Sequence, residues 1–218
     1  MRRHAWMGLW LGLVLAGPAA ASDSARPDID RDQVKVWTYP VPGQALHGFR
    51  AETTVRSSLA GLVGLLMDTA AAPRWVYRTE RIELLARDDG AGTFTARAEL
   101  DFWPLRDRDV VLDGRIEQDP RTLVVSVVSR NISLAAVPPR AAFVRMPGLR
   151  GTWEFRPLPE GLVEVVMSGY ADPGGHIPDF LVNQLIRETP YRTLRGLRRM
   201  IAAPKYQQSR FEGIREPQ

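Results

Sequence analysis

Residues 79–170 read as a run of strand-length segments cut by turn residues, after which the chain closes on one long helical segment. That order constrains the fold more than any other feature. Segments 79–86, 93–102, 108–117 and 123–130 come in series, and Asp88-Asp89-Gly90 and Asp119-Pro120-Arg121 favour tight reversals between them. Segments 144–158 and 162–170 flank Pro159-Glu160-Gly161. Ahead of the series, Val34, Val36 and Thr38 alternate with Lys35, Trp37 and Tyr39, and a second strand at 46–55 follows Pro42-Gly43. Ser57 or Ser58 is placed to cap a helix that carries Leu59, Val63, Leu66 and Met67, with a short helix at 70–75 behind it. The long helix is expected over 178–201. Pro178 suits its first turn, where a missing N–H costs nothing, and Asp179 suits the positive helix end. Many antiparallel strands with helices segregated at the ends make an α+β arrangement, in which a curved sheet of about eight strands wraps one long helix. The space such a sheet leaves against the helix can hold an apolar ligand.

The N-terminus reads as an export signal. Arg2, Arg3 and His4 precede an apolar run over residues 5–16, Gly17-Pro18 breaks it, and Ala19, Ala20 and Ala21 offer small residues for cleavage before Ser22. The run is shorter than the roughly 20 residues a spanning helix needs. A periplasmic or secreted location after cleavage is therefore expected. Residues 1–21 are read as the signal peptide, 22–30 as a flexible leader, 31–204 as one domain and 205–218 as a loose polar tail. The chain has no cysteine, which excludes disulfides, thiolate metal sites, cysteine nucleophiles and N-terminal lipidation on cysteine. Removing Arg2 and Arg3 from the 29 basic residues leaves 27 against 25 acidic ones, a net +2. No basic run interleaved with aromatics occurs, so no nucleic-acid partner is expected, and a monomer is.

Little in the sequence points to catalysis. His4 leaves with the signal, His47 sits at a strand start and His176 in a turn, so no converging metal-ligand set is read. No G-x-S-x-G and no glycine loop followed by lysine is present. No cofactor is expected. The alternating charges of Arg106, Asp107, Arg108 and Asp109 admit two readings. One is a turn into a strand edge whose side chains pair across it. The other is a catalytic acid or a polar anchor for a ligand, and this would need a pocket and a shifted pKa. The first is preferred. Within the long helix, Ile177, Phe180, Leu181, Val182, Leu185 and Ile186 cover a wider arc than one core stripe needs. Leu194, Leu197, Met200 and Ile201 form a narrower face, with Arg192, Arg195 and Arg199 opposite. Pro190, between the halves, removes a helical hydrogen bond, so a kink is expected there.

Three stretches resemble the START (StAR-related lipid-transfer) domain family, in the family's order. They are "VKVWTYPVPGQALHGFRAETTV" at residues 34–55, "WPLRDRDVVL" at 103–112, and the hairpin, Asp-Pro-Gly-Gly turn and helix of residues 151–198. The resemblance implies a helix-grip fold: a curved antiparallel sheet wrapped around the C-terminal helix, enclosing a hydrophobic tunnel. It implies binding and carriage of one lipid or sterol-like molecule, with transient contact to a membrane surface and no enzymatic activity. The alternative is an enzyme of the wider superfamily, such as a cyclase or hydrolase acting on a hydrophobic substrate. Candidate tunnel residues are Phe94, Leu100, Phe102, Val110, Leu112, Val125, Val127, Phe143 and Met167 from the strands, with Ile177, Phe180, Leu181 and Leu185 as the roof. A mouth is expected where the Pro-rich loop 131–140 meets the Gly174-Gly175 turn, with those glycines as a hinge.

Overall fold

In the computed structural model of the protein, the residues described are 26–42 and 46–217. The signal expected over residues 1–21 lies outside them, as does the start of the leader, 22–25. The first strands are β1 (Ile29–Arg31), β2 (Val34–Pro40) and β3 (His47–Arg56), followed by α1 (Leu59–Met67) and a 3-10 turn at Ala72–Arg74. Next come β4 (Thr79–Asp88), β5 (Thr93–Leu100), β6 (Arg108–Gln118), β7 (Val125–Asn131), β8 (Val144–Arg145), β9 (Gly148–Leu158) and β10 (Leu162–Asp172). The chain finishes with α2 (Asp179–Ile201) and α3 (Pro204–Gln207). All strands join one sheet in the order β1-β2-β3-β10-β9-β7-β6-β5-β4; neighbours are antiparallel, and β8 runs parallel to β6 off this path. This is the expected α+β helix-grip architecture, with ten strands among the described residues.

The two-residue alternation of the strands fixes which face turns inward. Val34 and Val36 are buried while Lys35 is exposed, and their register opposite Thr53 and Ala51 puts all four on one face. The row continues through Thr53, Val165, Phe155 and Val125, each paired with the next across β3, β10, β9 and β7. Leu59, Leu62 and Leu65 of α1 pack on this core. Ser58 caps α1 by accepting from the Gly61 N–H at 2.9 Å.

Beyond shifts of one or two residues at element ends, three features differ from the sequence reading. Residues 29–31 were expected in a flexible leader; they form β1, because Ile29 pairs with Val36 and packs against the core. The expected single strand 144–158 is broken at Met146-Pro147. The tail is not loose. The Tyr206 hydroxyl donates to Asp68 at 2.8 Å, Phe211 and Ile214 pack on the core, and Gln118 brackets the Arg215 backbone with two bonds of 2.8 Å. The Glu216 carboxylate accepts the Leu59 and Ala60 N–H groups at 3.0 and 2.8 Å, closing the first turn of α1.

The helix α2 is continuous across Pro190, but its two halves differ. In the second, Leu194, Leu197 and Ile201 are buried in the same cluster as Val34, Val36 and Trp75. Gly196 permits this closeness: a Cβ there would lie 2.2 Å from the Trp75 carbonyl oxygen. The Thr193 hydroxyl accepts the Tyr77 N–H at 3.2 Å beside it. The first half of α2 is tied to β1 by the ion pair of Glu188 with Arg31 at 3.8 Å.

Residues 132–143 lie on the outer face of the sheet, and the chain re-enters it as β8 beside β6. Ala98 and Val110 point inward, so Arg97, Glu99 and Asp109, which alternate with them, point out. Asp109 is 0% exposed and is gripped by Arg97 on one side and by Arg145 at 2.9 and 3.0 Å on the other. Arg140 pairs with Glu99, and Arg106 donates to the Ala141 and Phe143 carbonyls. Burial opposes ionisation of Asp109, but the hydrogen bonds and charges of Arg145 and Arg97 outweigh it and hold its carboxyl below the usual aspartate value.

A carboxyl depressed on folding stabilises the protein above its unfolded pKa, and that contribution is lost as pH falls through the folded value. Asp109→Asn leaves two cations beside a buried neutral group and is expected to cost about 3–5 kcal/mol near neutral pH. Melting curves at neutral pH and below about pH 4 check both points: the gap between wild type and variant narrows in acid, and a gap independent of pH contradicts the assignment. Glu216→Ala is expected to cost about 1 kcal/mol, or about 2–4 °C in Tm. An unchanged Tm would mean that the tail does not cap α1.

Candidate ligand cavity

Beneath the first half of α2 lies a partly open cavity of about 220 Å³. Val182, Leu185, Ile186, Thr189 and Pro190 form its roof. Phe49 of β3, Leu100 of β5, Leu149 of β9 and Met167 of β10 line the sheet side. Phe102, Met146 and Pro173 bound one part of the space, and Val76, Tyr77 and Arg78 another. The lining is dominated by aliphatic and aromatic residues, so contact with an apolar molecule removes apolar surface from water on both partners.

Of the residues read as tunnel candidates, Leu100, Phe102, Met167 and Leu185 come together in this lining. The others lie elsewhere. Val125 and Val127 belong to the main core under the anchored half of α2. Phe94 packs against that core across Gly114, where any side chain would collide with its ring. Val110 and Leu112 pack with Ala98 and Met146 in a smaller cluster flanking the cavity. Phe143 is on the outer face, with the guanidinium groups of Arg97 and Arg140 at 5.7 and 4.9 Å from its ring centre. Ile177 and Leu181 are half-buried outside the lining, and Phe180 is 73% exposed. The roof is therefore the stripe 182, 185, 186, 189 rather than 177, 180, 181. Phe49 was missed, although it shares the two-residue phase of Ala51, Thr53 and Val55 and was legible from that.

The charged run after Trp103 braces the scaffold. Asp107 accepts the Phe102 N–H at 3.1 Å, and Asp101 accepts the Trp103 N–H at 2.7 Å, which fixes the turn that carries Phe102 to the cavity. Arg108, buried at 3% exposure, stacks on the Phe102 ring and donates to the Pro173 and Gly174 carbonyls at 3.1 Å. Burial lowers its pKa, with the neighbouring Arg106 charge adding to the effect. The 172–175 turn is thus fastened, not free. Gly174 and Gly175 have φ of +63° and +73°, and a Cβ on Gly174 would meet Pro147 at 2.9 Å, so alanine is strained at both. The expected mouth loop 131–140 belongs to the outer-face segment pinned by Arg140 and Arg145, away from the cavity lining. Among the described residues no group of three or more His, Asp or Glu side chains is placed to hold a metal ion.

This geometry agrees with comparisons to known proteins. The sequence profile of the START domain matches residues 28–208. An uncharacterised protein of Pseudomonas aeruginosa is 30% identical over 185 residues, covering 84% of this chain and 89% of its own length. A STAR-related lipid transfer protein from Xanthomonas axonopodis superposes with a TM-score of 0.74 at 28% identity, covering 82% of this chain and 98% of that one. Human StAR-related lipid transfer protein 5 shares the fold, with a TM-score of 0.73 at 17% identity over 83% of this chain and 88% of its own. With its profile match, its sheet order and its cavity under the long helix, the chain belongs to the START domain family.

Proposed function

We propose that the protein binds one lipid or other hydrophobic molecule, acyl or sterol-like, beneath the first half of α2 and carries or presents it without catalysing a reaction. The observation that carries this reading is the mainly apolar cavity between α2 and the sheet. Leu100, Phe102, Met167 and Leu185, with Phe49, Val182 and Ile186, are the proposed contacts. The Xanthomonas relative, described as a lipid transfer protein, supports the same reading. Each methylene moved from water into such a site contributes about 0.8 kcal/mol. Transient membrane contact belongs to this proposal. Trp103 and Phe180 are 79% and 73% exposed, and they sit next to Phe102 and close to Val182, both of which line the cavity. The basic, apolar and small-residue pattern of residues 1–21 supports action in the periplasm.

Mass spectrometry of the protein purified from its native host under non-denaturing conditions tests the reading. An intact hydrophobic molecule bound one to one is expected. Turnover of an added hydrophobic substrate, with nothing retained, contradicts it. A second test separates the roof from its surface neighbour. Leu185→Asp places a carboxylate in the lining and is expected to weaken binding of a fluorescent fatty acid by about 30-fold or more. Phe180→Asp is expected to leave equilibrium binding unchanged and to slow transfer between vesicles. Equal loss of equilibrium binding in both variants contradicts the placement of the cavity.

A further inference from the structure

A surface groove of about 280 Å³ adjoins the cavity, and five of its nine lining residues are arginines: Arg74, Arg78, Arg192, Arg195 and Arg199. None of the nine is acidic. Two separate parts of the chain supply the charges, α2 and the stretch that runs from the 3-10 turn to β4. A solvated helix face would account for the three on α2 alone. It does not account for two more arriving from the facing segment. The walls are held together by the Gly196 approach to Trp75 and by the bond from the Tyr77 N–H to the Thr193 hydroxyl, whose side chain is fully buried.

These charges are incompletely balanced. Arg192 pairs with Glu188 at 2.8 Å and Arg195 with Asp32 at 3.3 Å. Among the described residues, no carboxylate makes an ion pair with Arg74, Arg78 or Arg199. Arg78 donates one N–H to the Asp101 carbonyl at 3.0 Å, and its Nε is buried without a partner. The guanidinium groups of Arg78 and Arg192 lie 5.6 and 4.9 Å from the centre of the Tyr77 ring. Guanidinium groups offer forked donors matched to phosphate and carboxylate oxygens. An anion held among them gains charge-assisted hydrogen bonds from more than one guanidinium.

The position of the groove says what that anion belongs to. Val76, Tyr77 and Arg78 line both the groove and the apolar cavity. On α2 the cavity roof ends at Thr189 and Pro190, and the groove begins at Arg192. We propose that the molecule carried is an anionic amphiphile: its tail occupies the cavity and its phosphate or carboxylate head group leaves past residues 76–78 to sit among the arginines. This rests on the cavity being the lipid site, and it adds the chemical class of the head group.

Octyl phosphate and 1-octanol, matched in chain and small enough to stay monomeric, test it by calorimetric titration of the mature chain. Octyl phosphate is expected to bind at least about tenfold more tightly than octanol, because its head group gains charge-assisted hydrogen bonds. That ratio is expected to fall as salt is added. In Arg74→Gln/Arg199→Gln, which removes two charges without breaking an internal ion pair, the ratio is expected to drop to threefold or less. Arg121→Gln, on a distant turn, is expected to keep it. Circular dichroism melts establish that each variant folds. If octanol binds and octyl phosphate binds no better, the head-group assignment is overturned while the cavity stands. If neither binds, the cavity reading falls with it. Inorganic phosphate binding as tightly as octyl phosphate makes the groove a free-anion site and overturns its link to the cavity. So does loss of binding to phosphatidylglycerol vesicles in the double variant with the octyl phosphate to octanol ratio unchanged, which assigns the groove to a membrane surface.

Discussion

Gly196 brings α2 so close to the 3-10 turn that the Trp75 carbonyl oxygen occupies the place of a side chain. Around that contact Leu194, Leu197 and Ile201 are clamped onto β2, β3 and α1, and Thr193 is tied to the Tyr77 backbone. The second half of the helix is therefore a core element. Its first half extends from this clamp over the other end of the sheet, where side chains from β3, β5, β9 and β10 do not fill the interval. A close-packed interior tolerates few voids larger than a water molecule, so a cavity of this size is a departure that the rest of the fold must support. The clamp at one end of α2 and the Arg108-fastened turn at the other supply that support.

The charged residues divide along similar lines. Asp101, Asp107 and Arg108 hold the turn that presents Phe102 to the cavity, and Asp109 anchors the outer-face segment through Arg97 and Arg145. A buried ion pair is weak support for stability against an apolar replacement, because desolvation offsets much of the attraction. Its strength is geometric: Arg145, fixed on the Asp109 carboxylate, also donates to the Val137 and Pro138 carbonyls and so sets where the loop before it lies. The arginines of the groove differ in having few internal partners, which is why they, and not the run after Trp103, carry a ligand assignment.

Much of the architecture was legible in the sequence. Alternation at Val34, Val36 and Thr38 marked β2 as a strand, Ser57 or Ser58 announced the start of α1, and the motif segments placed the long helix last. Membership of the cavity was less legible, for a physical reason. Val125, Val127, Leu100 and Met167 are all inward-facing apolar residues. What separates them is whether the clamped half or the first half of α2 lies above, and that is a tertiary fact with no local signature. Phe180 and Leu181 misled because the apolar arc at 177–186 is wider than one core stripe, so periodicity does not choose between its edges. The tail misled through composition: Tyr206, Phe211, Ile214 and Glu216 are scattered among polar residues, yet each meets a particular partner. The same holds for Arg74 and Arg78, which mean little until the fold sets them opposite Arg192, Arg195 and Arg199.

The central claim is that an apolar molecule lies between the first half of α2 and the sheet. A crystal structure with a terminally brominated fatty acid addresses it most directly, because anomalous scattering locates the bromine independently of the protein phases. The account predicts a bromine peak between residues 182–190 and the sheet strands bearing Leu100 and Met167. A saturated crystal whose only peaks lie on the protein surface would contradict it.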